Sequence, residues 1–241
     1  MLLRTTLTPR TLVLALSLAA SASLWAADPV TDALQQAYAP YRAALFKTNT
    51  GSQADSQQVI GQAQAAWTQI ISQFGSKPAA PYDRDTGFAA SLAEVARVYA
   101  KAADEISKNQ LAAAHETLEH AREVMAGLRH RNNVIVYSDH MNAYHAQMER
   151  VLMDGVKLID QPRGLLELTA QTGALEYLAR QLDTQAPADY VANAEFKAQL
   201  NAVQQSVADL KAVLLAQDAA AVKAAIGKLK GAYSKMFVKF G

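Results

Sequence analysis

All five histidines of this chain lie between positions 115 and 145: His115, His120, His130, His140 and His145. Four of the five internal methionines, Met125, Met141, Met148 and Met153, occupy the same neighbourhood. Imidazole and thioether donors suit copper, and imidazole with carboxylate suits zinc or iron. Residues three or four apart share a helix face. Met141, His145 and Met148 therefore stand together in "SDHMNAYHAQMERV" (138–151), with Glu149 one turn from His145. On the preceding segment His115 and Glu119 are four apart, as are Glu116 and His120. The ligand set this predicts is His115, His145, Met141, Met148 and Glu149, and the ion is copper, iron or zinc.

Those donors meet only if the chain doubles back near "RNN" (131–133). In an antiparallel hairpin turning there, His145 lies level with about position 118 and His115 with about 148. With Leu118 and Met141 at heptad "a", both histidines fall at "e", on flanks that face each other, with an axial offset of roughly 4.5 Å. If "NNVIVYS" is instead an extended connector, His145 meets Met125. A single unbroken helix would spread the histidines over roughly 45 Å. A phase change of two residues in the apolar stripe across 128–134 favours a turn.

A purely structural role accounts for several of these residues. Tyr137, Met141, Tyr144 and Met148 recur at core spacing, His120 falls on a polar face, and His140 flanks the core. His130, between Arg129 and Arg131, complements a helix C-terminus. No G-x-S-x-G, H-E-x-x-H or phosphate loop occurs, and "HETLEH" sets its two histidines five apart, off a common face. The chain reads as a non-enzyme.

The elements that must position the cluster are helical. Apolar residues recur at alternating threes and fours, as in Phe88, Leu92, Val95, Val98, Ala102 and Ile106, the spacing of helices packed in bundles. Breaks at 48–52, 74–87, 107–110, 131–133, 159–164, 183–193 and 216–218 leave eight helices: 29–47, 53–74, 87–107, 110–130, 135–157, 163–183, 191–215 and 218–239. Asp218 has the short acceptor of a helix N-cap. A shift of 108 overlays 88–128 on 196–236 without a gap, pairing Phe88 with Phe196, Leu92 with Leu200 and Ile106 with Leu214. The expected architecture is all-α, an up-and-down helical bundle of two tandem four-helix units, 27–131 and 132–241.

The stretch "EFKAQLNAVQQSVADLKAVLLAQDAAAVKAAIGKLKGAYSKMFVKFG" (195–241) resembles the small soluble b-type cytochromes of the periplasm, which are up-down-up-down four-helix bundles. That family holds haem iron with a methionine early in the first helix and a histidine late in the fourth. Met141 lies suitably early in the second unit, but Phe237 stands at the histidine position. In the first unit Arg129 takes that place, with His130 beside it, and the first helix has no methionine. The resemblance thus implies the bundle, and the incomplete ligand pairs speak against b-type haem bound in the family's manner.

Residues 1–26 read as a secretory signal: Arg4 and Arg10 precede the short apolar run "TLVLALSLAASASLWA", with cleavage near Ala26–Ala27. The run falls short of the roughly 20 residues a membrane anchor needs. Loss of both arginines turns the net charge from +1 to −1, which leaves no basic excess for nucleic acid. The absence of cysteine excludes disulfides, thiolate ligands and c-type haem. Together these predict an exported, periplasmic helical-bundle binding protein with no membrane attachment after cleavage, taking a metal ion at the 115–148 cluster. The alternative is a non-catalytic interaction module for another envelope protein.

Overall fold

A computed structural model describes residues 28–241; the expected signal segment lies outside the described residues. The fold is an all-α helical bundle, with no strand among the described residues. Its elements are α1 (Pro29–Thr50), α2 (Gln53–Phe74), α3 (Phe88–Ser107), α4 (Leu111–Arg131), α5 (Tyr137–Leu158), α6 (Gly164–Thr184), a short α7 (Ala188–Ala192), α8 (Ala194–Leu215) and α9 (Ala219–Phe240). The eight long helices start and stop close to where the breaks place them. The short α7 is an addition, in a stretch expected to be connector.

Local chemistry sets these ends. Asp28, Ser52, Asn193 and Asp218 each accept a backbone N–H of the first helical turn, satisfying donors that have no partner inside the helix. The expected cap at Asp218 is made to Ala221 N at 3.0 Å. Three connectors turn on one left-handed residue each: Asn109, Asn133 and Gln217, all at φ 56°. At Asn109 and Gln217, which are 108 positions apart, the next N–H reaches back to the same relative carbonyl, Gln110 N to Glu105 O at 2.9 Å and Asp218 N to Val213 O at 3.2 Å.

Tertiary packing follows the apolar stripes. Helices α1 to α4 pack in chain order, and α1 also packs on α4; α5, α6, α8 and α9 repeat that pattern, with α5 on α9. The principal contact between the two groups is α1 with α9, where the Arg42 guanidinium donates to the Gly241 carbonyl. The core is continuous and includes Trp67, Tyr41, Tyr99, Leu118, Met141, Met148, Leu210 and Tyr233. The paired residues of the 108 shift, such as Phe88 and Phe196 or Leu118 and Ile226, are buried in both places.

Between α4 and α5 the chain does double back. A five-residue connector (132–136) ends with Val136 in extended backbone (φ −125°, ψ 168°). The hairpin is tied at its base by Arg129, whose guanidinium grips Asp139, with Nε to Oδ2 at 3.2 Å. Asp139 also accepts Val136 N at 3.0 Å, so one carboxylate caps α5 and fastens it to α4. No described helix is long and apolar enough to cross a membrane.

Candidate functional site

The hairpin's register decides which residues meet. Arg129 opposes Asp139, and one turn pair further on Arg122 opposes His145. His145 is therefore level with position 122, between the two levels expected from sequence (118 and 125), because α5 starts at Tyr137 rather than 135 or 138. His115 sits seven residues from Arg122 along α4, about 10 Å at the helical rise. The two imidazoles share a cleft but not a level. By the same register Glu119 and Glu149 stand nearly level between them.

The cleft is a cavity of about 50 Å3 where α1, α4, α5 and α9 meet. Leu45, Phe46 and Asn49 line it from α1; His115, Glu119 and Arg122 from α4; His145 and Met148 from α5; and Lys230 and Tyr233, with neighbours, from α9. Such a volume has room for a few water-sized particles, each of which needs about 10–15 Å3 of such space.

Hydrogen bonding fixes the two rings in opposite tautomers. Nδ1 of His115 lies 3.1 Å from the Leu45 carbonyl, which can only accept, so Nδ1 carries the proton. Thr48 Oγ1, 3.3 Å from the same nitrogen, spends its own proton on the Ala44 and Leu45 carbonyls and accepts as well. Nε2 of His115 faces Glu119 Oε1 at 3.7 Å. His145 is reversed. Arg122 Nη1, which can only donate, is 2.6 Å from Nδ1, so the proton of the neutral ring is on Nε2, directed at Glu149 Oε1 at 3.4 Å.

Electrostatics here are balanced within the cleft. Glu149 is held down at about 2, first by the His145 hydrogen bond, against the cost of burial, with help from Lys230 at 3.3 Å. Burial alone would depress Arg122, but Glu119, whose Oε2 touches Nη2, more than restores its charged form. Tyr233 stacks on His145 (5.3 Å, 4°) and donates to the Met141 carbonyl at 3.1 Å. Burial raises its phenol well above the ordinary range, so it stays neutral.

Of the five expected ligands, His115, His145 and Met148 line the cleft and Glu149 borders it through His145. Met141 is fully buried in the core and is not among the lining residues. Among the described residues no three His, Asp or Glu side chains converge closely enough to hold a metal ion. What the structure provides is two separate two-donor edges, His115 with Glu119 and His145 with Glu149. The other three histidines are dispersed: His120 bridges Glu94 and Glu123 on an exposed face, His130 lies 3.7 Å from Asp139, and His140 is depressed by burial.

Arg122, Lys230, Tyr233 and Thr48 did not emerge from the sequence pattern. Arg122 was within reach of it, being three residues from Glu119 and seven from His115 on one face. Lys230 is its counterpart under the 108 shift. Comparison with protein-family models, curated proteins and solved structures finds no match to this chain.

Proposed function

We propose that this is an exported, periplasmic, non-catalytic binding protein whose ligand is a transition-metal ion taken up in the α1/α4/α5/α9 cleft. The observation that carries this reading is the His115–Glu119 edge. There an imidazole nitrogen faces a carboxylate oxygen at 3.7 Å, two donors that one cation can bridge. The other ring nitrogen donates to the Leu45 carbonyl, as metal-ligating histidines ordinarily donate to a carbonyl or carboxylate. Both edges, at 3.7 and 3.4 Å, are near the roughly 3.4 Å that separates two ligands of a tetrahedral site with bonds of about 2.1 Å.

The donors in this reading are His115, Glu119, His145 and Glu149, with Met148 flanking them. Imidazole with carboxylate favours zinc or iron over cuprous copper. The two edges close on one ion only when side chains move, the ion drawing the carboxylates together. The bundle itself is proposed as two tandem four-helix units related by duplication, supported by the matching connectors at Asn109 and Gln217 and the paired buried positions. The likeness to small b-type cytochromes is proposed as one of fold alone.

The test is metal analysis and calorimetric titration of the purified chain with zinc, ferrous and cupric ions. One zinc or ferrous ion per chain, lost in the His115→Ala, His145→Ala double variant, supports the reading. No bound ion, or binding unchanged in that variant, overturns it. A second reading, an interaction module for an envelope protein, is favoured by exposed Met153 and Val156 late in α5 and Leu166 early in α6. Co-purification of a defined partner, lost on Met153→Lys and Leu166→Lys, would support that one.

A further inference from the structure

We infer that the outward face of α9 is a docking surface for a membrane leaflet of anionic phospholipid headgroups, a function independent of the cleft. Charge in this chain is segregated. The α8–α9 hairpin (194–240) carries seven lysines against three acids, Glu195, Asp209 and Asp218, while residues 28–193 carry 14 basic and 19 acidic residues. Helix α9 itself has five lysines and no acid. At about 3.6 residues per turn they form two rows, Lys223 with Lys230 and Lys228 with Lys235 and Lys239, along roughly 24 Å of helix. All five are exposed. Lys230 pairs with Glu149 and Lys239 with Glu195, whereas Lys223, Lys228 and Lys235 meet no carboxylate among the described residues.

The strip between the rows lets both act at once. It consists of Ala220, Ala224, Gly227 and Gly231, all exposed, and a Cβ placed on either glycine would meet nothing within 4 Å. With no side chain longer than a methyl to hold the helix off, a flat layer approaches the backbone while lysines on both flanks reach down to it. Helix α4 supplies the contrast. Under the 108 shift Ala224, Gly227 and Gly231 stand where α4 has Glu116, Glu119 and Glu123. The acids that balance the charge of α4 are therefore missing from the very strip that separates the lysines. A protein partner is ordinarily gripped by aromatic or large apolar anchors, and no exposed large apolar side chain lies on α9. A layer of phosphodiesters needs none, because each lysine near such a surface contributes through charge alone. The contact is adsorption at the headgroups, since no described helix is long and apolar enough to cross the bilayer.

The experiment is sedimentation of the purified chain with vesicles of pure phosphatidylglycerol or pure phosphatidylcholine. Adsorption to the first and not the second is expected, and it should be lost in about 1 M salt, where the Debye length is about 3 Å. The Lys223→Glu, Lys228→Glu, Lys235→Glu triple variant is expected to adsorb at least about tenfold more weakly. Ala224→Glu with Gly231→Glu keeps every lysine and sets a carboxylate four residues before Lys228 and Lys235, a spacing that supports the helix. This double variant should stay helical by circular dichroism and lose adsorption by a similar factor. No adsorption to phosphatidylglycerol, equal adsorption to both lipids, or adsorption unchanged in a folded variant overturns the inference. Retention on immobilised poly-L-glutamate without adsorption to vesicles also overturns it and assigns the face to an acidic protein. None of these outcomes bears on the ion-binding reading, which metal titration decides.

Discussion

His145 Nδ1 accepts from Arg122 Nη1 at 2.6 Å while His115 Nδ1 donates to the Leu45 carbonyl at 3.1 Å, so two histidines of one cleft hold their protons on opposite nitrogens. The difference arises from what each ring meets. A carbonyl on α1 can only accept, and a guanidinium on α4 can only donate.

Nuclear magnetic resonance reads this relationship directly. Long-range nitrogen–proton correlations at pH 8 should assign the Nδ1–H form to His115 and the Nε2–H form to His145. Arg122→Met should release His145 to a mixture of tautomers and leave His115 as it is. Identical tautomers in the wild type would sink the geometry on which the site is built.

Asp139→Asn should be the most damaging single polar substitution in the hairpin. The Arg129 and Asp139 side chains are 2 % and 6 % exposed, so the variant leaves a buried guanidinium without its counter-charge. Breaking such a pair costs about 3–5 kcal/mol, and the α5 cap weakens with it. Urea unfolding measures the loss; a change under about 1 kcal/mol would mean the charge is already compensated elsewhere.

Stability should fall in acid partly through Asp85. Burial tends to raise its carboxyl, but Asn132 Nδ2 at 2.9 Å, the Gly87 amide at 2.8 Å and Arg131 at 3.1 Å together hold it below the ordinary carboxylate range. A group depressed in the folded state contributes stability above its unfolded value of about 4. That contribution is lost as pH drops through the lower folded value. Asp85→Asn should therefore be less stable than wild type at pH 7, with the gap narrowing below about pH 4. A gap independent of pH counts against this assignment.

Met141→Leu separates packing from ligation. Met141 is fully buried, and a volume-conserving swap costs under about 1.5 kcal/mol. Zinc affinity should be unchanged in this variant. A fall of tenfold or more would return the thioether to the ligand set.

Much of this protein was legible in one dimension. Helices are local structures, so the three-and-four spacing of residues such as Phe88, Leu92 and Val95, and caps such as Asp218, are written within a few positions of where they act. Long apolar stripes then require partners, and a bundle follows. Confinement of the histidines to 115–145 and the reversal near Asn132 were legible for the same reason.

The site's chemistry was not. Which donors face one another depends on a register set by the Arg129–Asp139 clasp, and a shift of a few residues between helices changes every partner along them. Met141, four residues before His145, and Met148, three after it, share its helix face, yet only Met148 borders the cleft; Met141 is fully buried where Tyr233 of α9 donates to its carbonyl. Leu45, Thr48, Lys230 and Tyr233 lie up to 188 residues apart from one another and reach the histidines only because α1 packs on α4 and α9 packs on α5. Residue type and helical period determined the elements and the pool of donors. Long-range packing alone decided the tautomers, the pairing of charges and the place of Arg122, since each depends on atoms that are distant in the chain and adjacent only in the fold.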